Sequence, residues 1–334
     1  MNTSTQVLDV TDRTPETSPF DLVLVKENVQ GLGMIGGLDH AGSARGALLD
    51  MDRPDSLNHL LQQIASWIEG LRSPVLTGNS GSSTLRFGSL GVTSEWRTAV
   101  AALCERHEVD HAFLPSGRRR LSDYGVLAMD MDSTLITIEC IDELGDWCGR
   151  KAEIASITEA AMRGEIPNFS ESLRQRVALL AGLDSSALES VYNERLRLSP
   201  GADRLLSAAH TAGLKTLLVS GGFTFFTDRL RDRLGLAAAR ANQLEVVDGK
   251  LTGRVLGQIV DAEEKAAELQ RVCCEFGVNI DQSIAIGDGA NDLKMLGLAG
   301  LGVAYHAKPV VAAQANIAIQ YGGLDRLLDF LPAS

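Results

Sequence analysis

Two carboxylates at the end of an apolar run constrain this chain more than any other feature of its sequence. Residues 125–129 are typical of a buried strand, and Asp130 and Asp132 follow it directly. Side chains at positions i and i+2 of a strand share a face, so the two charges crowd one crevice unless a cation or a proton is shared there. A divalent metal is the simplest solution. These residues alone leave a second interpretation open, a turn whose aspartates cap the next helix.

A second segment supplies groups that suit a bound anion. The apolar run 216–219 is followed by Ser220, Gly221 and Gly222. A hydroxyl and exposed backbone N–H groups at a strand-to-helix junction bind anions well. The segment therefore predicts a phosphate-binding loop, although Ser220 in isolation would be interpreted as a helix N-cap.

A third segment adds further acidic and amide groups. The run 283–286 precedes Asp288, Asn291 and Asp292, and the glycines among them let backbone approach a ligand closely. Lys265, near the start of a predicted amphipathic helix, could neutralise charge on a nucleophile or a phosphoryl group. Alone, Lys265 would be a solvated surface residue and Asn291 a turn former.

The three segments, together with the segment around Lys265 that lies between the second and the third of them in the chain, resemble the motifs of the haloacid dehalogenase-like hydrolases. Glu139 and the run 169–176 narrow the resemblance to the phosphoserine phosphatase family within that superfamily. It covers about two thirds of the chain, from Gly125 to the C-terminus. The resemblance implies hydrolysis of O-phosphoserine to serine and phosphate through an aspartyl-phosphate intermediate, as the last step of serine biosynthesis.

The resemblance and the chemical demands of phosphomonoester cleavage give each residue an expected role. Asp130 attacks phosphorus, and Asp132 protonates the departing seryl oxygen and later takes a proton from water. Mg²⁺ is the implied ion, held by Asp130, Asp288 and the backbone carbonyl of Asp132. The expected substrate-binding residues are Glu139, Arg176, Ser220, Gly221, Lys265 and Asn291. The expected supporting residues are Thr134, Gly222 and Asp292, the last as a ligand or an orienting group.

Substrate choice is expected to depend on Glu139 and Arg176. Phosphoserine carries an ammonium and a carboxylate away from its phosphate, and an acid with a guanidinium would pair with both. From the residues alone, Glu139 could equally start the next helix as a favourable dipole partner, and Arg176 could lie on an exposed helical face. The resemblance favours the substrate-binding interpretation.

Composition excludes several classes of partner. The net charge of -12 argues against nucleic acid or an anionic membrane surface, since either would require a basic face. The five cysteines form no C-x-x-C pair, which argues against a disulfide framework or a zinc site. No apolar run is long enough to span a membrane and the first residues lack an export signal, so we expect a cytoplasmic protein. The oligomeric state stays open, with a homodimer as one option.

The pattern of apolar runs predicts an α/β fold with a doubly wound, mainly parallel sheet. Consecutive helices predict a helical cap at about 141–198, and two alternating runs around an Asp-Gly turn predict a β-hairpin flap at 242–255. We expect a disordered tail over 1–20, a small N-terminal α/β accessory domain over 21–118, with helices at 56–71 and 95–105, and a phosphatase domain over 119–334.

Three further interpretations apply to parts of the sequence. Gly31, Gly33 and Gly36 match the dinucleotide fingerprint, but the residues between them and the preceding apolar run, and the glycines that follow, favour a flexible loop. A second enzymatic hypothesis is transfer of the phosphoryl group to an acceptor alcohol such as homoserine. A hypothesis of another class makes the N-terminal region a regulatory or oligomerisation module.

Overall fold

The computed structural model of the chain describes residues 20–27, 75–79, 82–90, 94–115 and 119–332. Three features predicted from the sequence fall wholly or mostly elsewhere. The tail, the Gly31 to Gly36 loop and the helix at 56–71 lie outside the described residues, apart from the last residue of the tail. Within the described part of the chain, no helix has the length and apolar content needed to cross a membrane.

The described strands form one mixed sheet whose centre is parallel. The strands are β1 (Phe20–Glu27), β2 (Val75–Asn79), β3 (Ser82–Leu90), β4 (Asp110–Pro115), β5 (Val126–Met129), β6 (Lys215–Phe223), β7 (Ala238–Val247), β8 (Lys250–Leu256), β9 (Ser283–Gly287), β10 (Leu301–Tyr305) and β11 (Ile317–Ile319). Their order is β2-β3-β1-β4-β11-β10-β9-β5-β6-β7-β8. The pairs from β11 to β7 are parallel, and the pairs outside them are antiparallel.

Helices connect the parallel strands and build the cap. They are α1 (Ser94–Arg106), α2 (Cys140–Trp147), α3 (Lys151–Met162), α4 (Phe169–Ala178), α5 (Ser186–Ser190), α6 (Ala202–Thr211), α7 (Thr224–Leu234), α8 (Ala262–Glu275), α9 (Leu293–Leu298), α10 (Pro309–Ala312) and α11 (Arg326–Phe330). The predicted α/β class is confirmed, and the runs at 125–129 and 283–286 form β5 and β9 close to the expected bounds.

The central strand β5 is apolar throughout because both of its faces are covered. Leu127 and Met129 belong to one apolar cluster, while Val126 and Ala128 belong to another on the opposite face. Alternate side chains of a strand point to opposite faces, so this run packs against two layers of helices. Its neighbours are β9 and β6, which carry the other two acidic or hydroxyl-bearing segments at their carboxyl ends.

Strand β6 is longer than the sequence predicts. It continues through Ser220, Gly221 and Gly222 to Phe223, and α7 begins only at Thr224. Its parallel pairing with β7 is interrupted between Val219 and Phe223. The predicted phosphate-binding loop is therefore an irregular end of a strand rather than a turn that follows one.

The predicted cap and hairpin lie against each other. The predicted cap region contains α2 to α5 and no named strand, and the hairpin is formed by β7 and β8 around Asp248 and Gly249. Gly182 donates to the carbonyl of Leu251, and Leu251 donates to that of Leu183, each at 2.8 Å. The hairpin is thus tied to the segment that follows α4.

The N-terminal strands β1 to β4 extend the parallel part of the sheet on the side of β11. Strand β4 pairs antiparallel with β11, and its buried Asp110 accepts hydrogen bonds from the backbone N–H groups of 320–322. Arg326 lies 3.4 Å from the same carboxylate. The predicted boundary near residue 118 stays a prediction, but hydrogen bonding continues across β4 and β11.

Candidate active site

Asp130 and Lys265 form the buried centre of the site. Asp130 follows β5, and its Oδ1 accepts the Met131 N–H at 2.7 Å. Lys265 lies on the first turn of α8, is fully buried, and places Nζ 2.8 Å from Asp130 Oδ1. A buried ammonium needs partners of opposite charge, because burial by itself disfavours the charged form.

Asp292 is the second partner of Lys265. Its Oδ1 lies 2.7 Å from Nζ, and its Oδ2 accepts the Gly289 N–H at 3.0 Å. Gly287 must be a glycine here, because a Cβ would lie 2.4 Å from the Asp292 carboxyl carbon. With both oxygens engaged, Asp292 is suited to orient Lys265.

A third carboxylate completes an acidic cluster. Asp288 Oδ1 accepts a hydrogen bond from Thr134 at 2.9 Å. Carboxylate oxygens of Asp130, Asp288 and Asp292 lie within 4.8 Å of one another. Hard divalent cations prefer this donor set, so the cluster fits a metal ion.

Burial and the nearby charges shift the pKa values of the residues in the acidic cluster. Burial and the charge of Asp292 raise the pKa of Asp130 well above its ordinary value, although Lys265 opposes the shift. Burial and Asp292 likewise raise the pKa of Asp288 to about 6. The pKa of Lys265 rises despite burial, because Asp130 and Asp292 stabilise its charged form. One lysine does not balance three nearby acids, so a bound cation would lower the free energy of the cluster.

Asp132 makes contacts of its own beside this cluster. Its Oδ1 accepts the Cys140 N–H at 3.0 Å. A Cβ on Gly222 would lie 2.5 Å from Asp132 Oδ2, so the glycine allows the carboxylate to reach the end of β6. Burial raises the pKa of Asp132 to about 6, with the Cys140 hydrogen bonds opposing the shift. Such a carboxyl group can both give and take a proton near neutral pH.

The segment 220–222 lies beside Asp132. Ser220 is fully buried, and its Oγ accepts the Gly222 N–H at 2.8 Å. A Cβ on Gly222 would also lie 3.0 Å from Ser220 Oγ. The ring of Phe169, at the start of α4, covers Gly221, since a Cβ there would meet it at 2.7 Å. The cap therefore closes over the predicted phosphate-binding segment.

Glu139 and Arg176 bring opposite charges to the mouth of the site. Glu139 Oε1 accepts a hydrogen bond from Ser133 at 2.6 Å, and Ser133 adopts a positive φ of 55°. Although Glu139 as a whole residue is exposed, neighbouring protein atoms surround its carboxyl group, and this desolvation together with the charge of Asp132 raises the pKa of Glu139 to about 7. Arg176 lies 6.0 Å from the centre of the Phe169 ring. Burial lowers its pKa, while Asp142, Glu139 and Asp132 oppose that shift.

Two asparagines differ in whether the sequence predicted a role for them. Asn291 Oδ1 lies close to Gly289, and no hydrogen bond among the described residues links its amide to Asp130 or Ser220. Asn242 was not predicted, yet it is buried and bonded to Gly221. An asparagine inside a strand is unusual, and this was the available sequence signal.

Comparisons with known proteins show what this chain is similar to. The family model described as haloacid dehalogenase-like hydrolase matches residues 127–297. A phosphoserine phosphatase of Polaromonas sp. is 60% identical over 216 residues, covering 64% of this chain and 92% of the relative. A probable phosphoserine phosphatase from Vibrio cholerae superposes with a TM-score of 0.70 at 33% identity, covering 95% of this chain and 88% of the other.

A third comparison concerns a reaction intermediate. A solved structure described as a phospho-aspartyl intermediate analogue of phosphoserine phosphatase has a TM-score of 0.59 and 36% identity to this chain. The match covers 63% of this chain and 99% of that one.

Proposed function

This chain belongs to the haloacid dehalogenase-like hydrolase family, and from that premise we propose that it hydrolyses O-phosphoserine to serine and phosphate. The observation that carries the proposal is a buried carboxylate, Asp130, held by Lys265 beside an acidic cluster, with Glu139 and Arg176 of opposite charge at the mouth. The resemblance predicted from the motifs is confirmed by the relatives.

In the first step Asp130 attacks phosphorus and the bond to the seryl oxygen breaks. Oδ1 of Asp130 contacts Met131 and Lys265, so we assign the attack to Oδ2. Asp132 donates its proton to the leaving oxygen, and serine departs as the neutral alcohol. Ser220 and the Gly221 amide hold phosphoryl oxygens, while Lys265 balances charge at the nucleophile.

In the second step water hydrolyses the aspartyl-phosphate. Asp132, now ionised, takes a proton from the attacking water, which returns the pair to its starting state. The phospho-aspartyl analogue of a related phosphatase supports a covalent intermediate of this kind. Phe169 and the cap exclude bulk water while the phosphoryl group is transferred.

We propose Mg²⁺ as the ion that fits the acidic cluster. Asp130, Asp288 and the backbone carbonyl of Asp132 would hold it, with Asp292 orienting Lys265. When bound, the ion supplies positive charge that stabilises the phosphoryl group during transfer. Asn291 is proposed to donate a hydrogen bond to the phosphate, and Thr134 to orient Asp288.

Substrate discrimination at the serine end tests the proposed function. Arg176→Lys keeps the charge but loses bidentate recognition of a carboxylate. We expect kcat/KM for phosphoserine to fall about 10-fold to 100-fold, with turnover of p-nitrophenyl phosphate nearly unchanged. Steady-state kinetics on both esters measures the ratio, and Arg174→Lys on the exposed face of α4 is the control. A wild-type rate on phosphoserine no better than on the generic ester contradicts the proposal.

Metal affinity should depend on pH. Burial raises the pKa of Asp288 to about 6 in the absence of an ion. Below that pH a proton on Asp288 competes with Mg²⁺, so this group alone should lower the affinity up to about 10-fold per pH unit, in addition to any competition at Asp130, whose pKa is also raised. Calorimetric titration from pH 5 to 8 measures the effect. In Asp288→Asn the Asp288 contribution disappears, and an identical pH dependence in that variant would contradict the assignment.

The transferase alternative has no supporting observation. Turnover in the presence of homoserine, with product analysis, distinguishes the two acceptors, and phosphohomoserine as the main product would favour transfer. The homodimer and the cytoplasmic location remain predictions, the first open to light scattering and the second to cell fractionation. Release of serine agrees with the last step of serine biosynthesis, which the resemblance implies.

A further inference from the structure

Asn242 connects two parts of the site that are far apart in sequence. It begins the hairpin portion of β7 and is 1% exposed. Its Nδ2 donates to the Gly221 carbonyl and its Oδ1 accepts the Val260 N–H, each at 2.8 Å. A backbone N–H only donates and a carbonyl only accepts, so the two partners determine the orientation of the amide.

The hydrogen bond from Asn242 to Gly221 replaces a backbone hydrogen bond that is missing between β6 and β7. Pairing between β6 and β7 is interrupted after Val219 and resumes where Phe223 meets Asn242. The backbone ladder therefore does not hold Gly221 in this interval. The Asn242 side chain supplies the donor that an unbroken ladder would provide, and a buried carbonyl without a donor is costly.

The same peptide group orients Ser220. The Gly221 carbonyl and the Gly222 N–H belong to one trans peptide and point in opposite directions. Asn242 binds one side, and Ser220 Oγ accepts the N–H on the other side at 2.8 Å. Since Oγ accepts this bond, the Ser220 hydroxyl hydrogen is directed elsewhere.

The second contact reaches the helix that carries Lys265. Val260 is fully buried and precedes Asp261, whose side chain caps α8 by accepting the Glu264 N–H. Lys265 lies on the first turn of that helix. Asn242 thus couples the phosphate-binding segment to the element that positions the lysine.

We propose that Asn242 is a positioning residue that holds the Gly221 peptide so that the Ser220 hydroxyl faces the phosphoryl group. Its action is limited to the phosphoryl end of the substrate. This inference rests on the proposed phosphatase chemistry, but it does not depend on which alcohol the phosphate is esterified to.

The Asn242→Ala variant tests binding at the phosphoryl end and at the serine end of the substrate separately. We expect the Ki of inorganic phosphate to rise about 10-fold and kcat for p-nitrophenyl phosphate to fall about 100-fold. The Ki of L-serine, which under the proposed function binds at the Glu139 end, should stay within about 2-fold of wild type. Equal changes in both Ki values, or an unchanged phosphate Ki, would overturn the proposal. Asn316→Ala is the matched control, since Asn316 accepts the Gly302 N–H at 2.8 Å near the amino ends of β10 and β11.

A double-mutant cycle tests whether Asn242 acts through Ser220. In a Ser220→Ala background, Asn242→Ala should raise the phosphate Ki by less than about 3-fold, because the hydroxyl it orients is already gone. Full additivity of the two effects would overturn the proposal.

If the alanine variant fails to fold, Asn242→Asp provides a second variant, because aspartate has the same shape as asparagine. Protonated, the carboxyl group can donate to Gly221 and accept from Val260; ionised, it can only accept. Activity relative to wild type should therefore rise as pH falls from 8 to 5, and a flat ratio would overturn the proposal. If wild type shows no preference for phosphoserine, the proposed substrate fails while these phosphate measurements still decide the role of Asn242.

Discussion

Asp130→Asn should reduce turnover of phosphoserine by about 10³-fold or more while leaving the protein folded. The amide has nearly the same size but no nucleophilic oxygen, so the aspartyl-phosphate cannot form. The fold should survive because the change removes one of three crowded negative charges, and Lys265 keeps its 2.7 Å contact to Asp292. Without metal, the thermal midpoint should match or exceed that of wild type.

The covalent intermediate can be detected directly, which tests whether Asp130 is the nucleophile. Acid quenching of wild type during turnover should show a mass increase of one phosphoryl group on the peptide that contains Asp130, and the variant should show none. Asp261→Asn is the control, since asparagine also caps a helix and should preserve turnover. Turnover of Asp130→Asn within about 10-fold of wild type would contradict the assignment.

Lys265→Met is expected to affect both stability and catalysis. Removing one partner of a buried ion pair leaves uncompensated charge and costs roughly 3–5 kcal/mol. Here the substitution leaves the carboxylates of Asp130 and Asp292 close to each other without the Lys265 ammonium, which lies 2.8 Å from Asp130 and 2.7 Å from Asp292. We expect a lower free energy of unfolding without metal, partial recovery with Mg²⁺, and turnover reduced at least about 100-fold.

A second substitution separates the two effects. Lys265→Met with Asp292→Asn replaces the pair by neutral groups, and should recover much of the stability but not the turnover. Urea unfolding with and without Mg²⁺ measures stability, and phosphoserine kinetics measures activity. Lys294→Met is the control, because its ion pair with Glu263 is exposed, and we expect a much smaller loss of stability there than at Lys265. Equal stability losses at 265 and 294 would contradict the buried pair as the cause.

The elements near the site were predictable because their signals are local. The run ending at Met129 and the run ending at Ile286 are short, apolar and buried on both faces, which is typical of central parallel strands. Asp130 and Asp288 follow such strands, and carboxyl ends of parallel strands meet at one edge of a sheet. The hairpin was equally clear, since its Asp248-Gly249 turn has positive φ at both residues.

Other features depend on partners distant in sequence. Asp110 receives N–H donors from 320–322, more than 200 residues away, and no local pattern in β4 predicts that pairing. The sequence also did not predict that Asp292 would bind Lys265 and Gly289 with its two oxygens.

The sequence by itself determined the identities of the strand-end residues and the family they indicate, because apolar periodicity and motif spacing are local properties of a chain. Only the tertiary structure decided which groups share a proton, a charge or a donor. It placed the Asn242 amide between Gly221 and Val260, where an interrupted ladder required one. Such bonds depend on distances between atoms brought together by folding, and those distances are absent from a linear sequence.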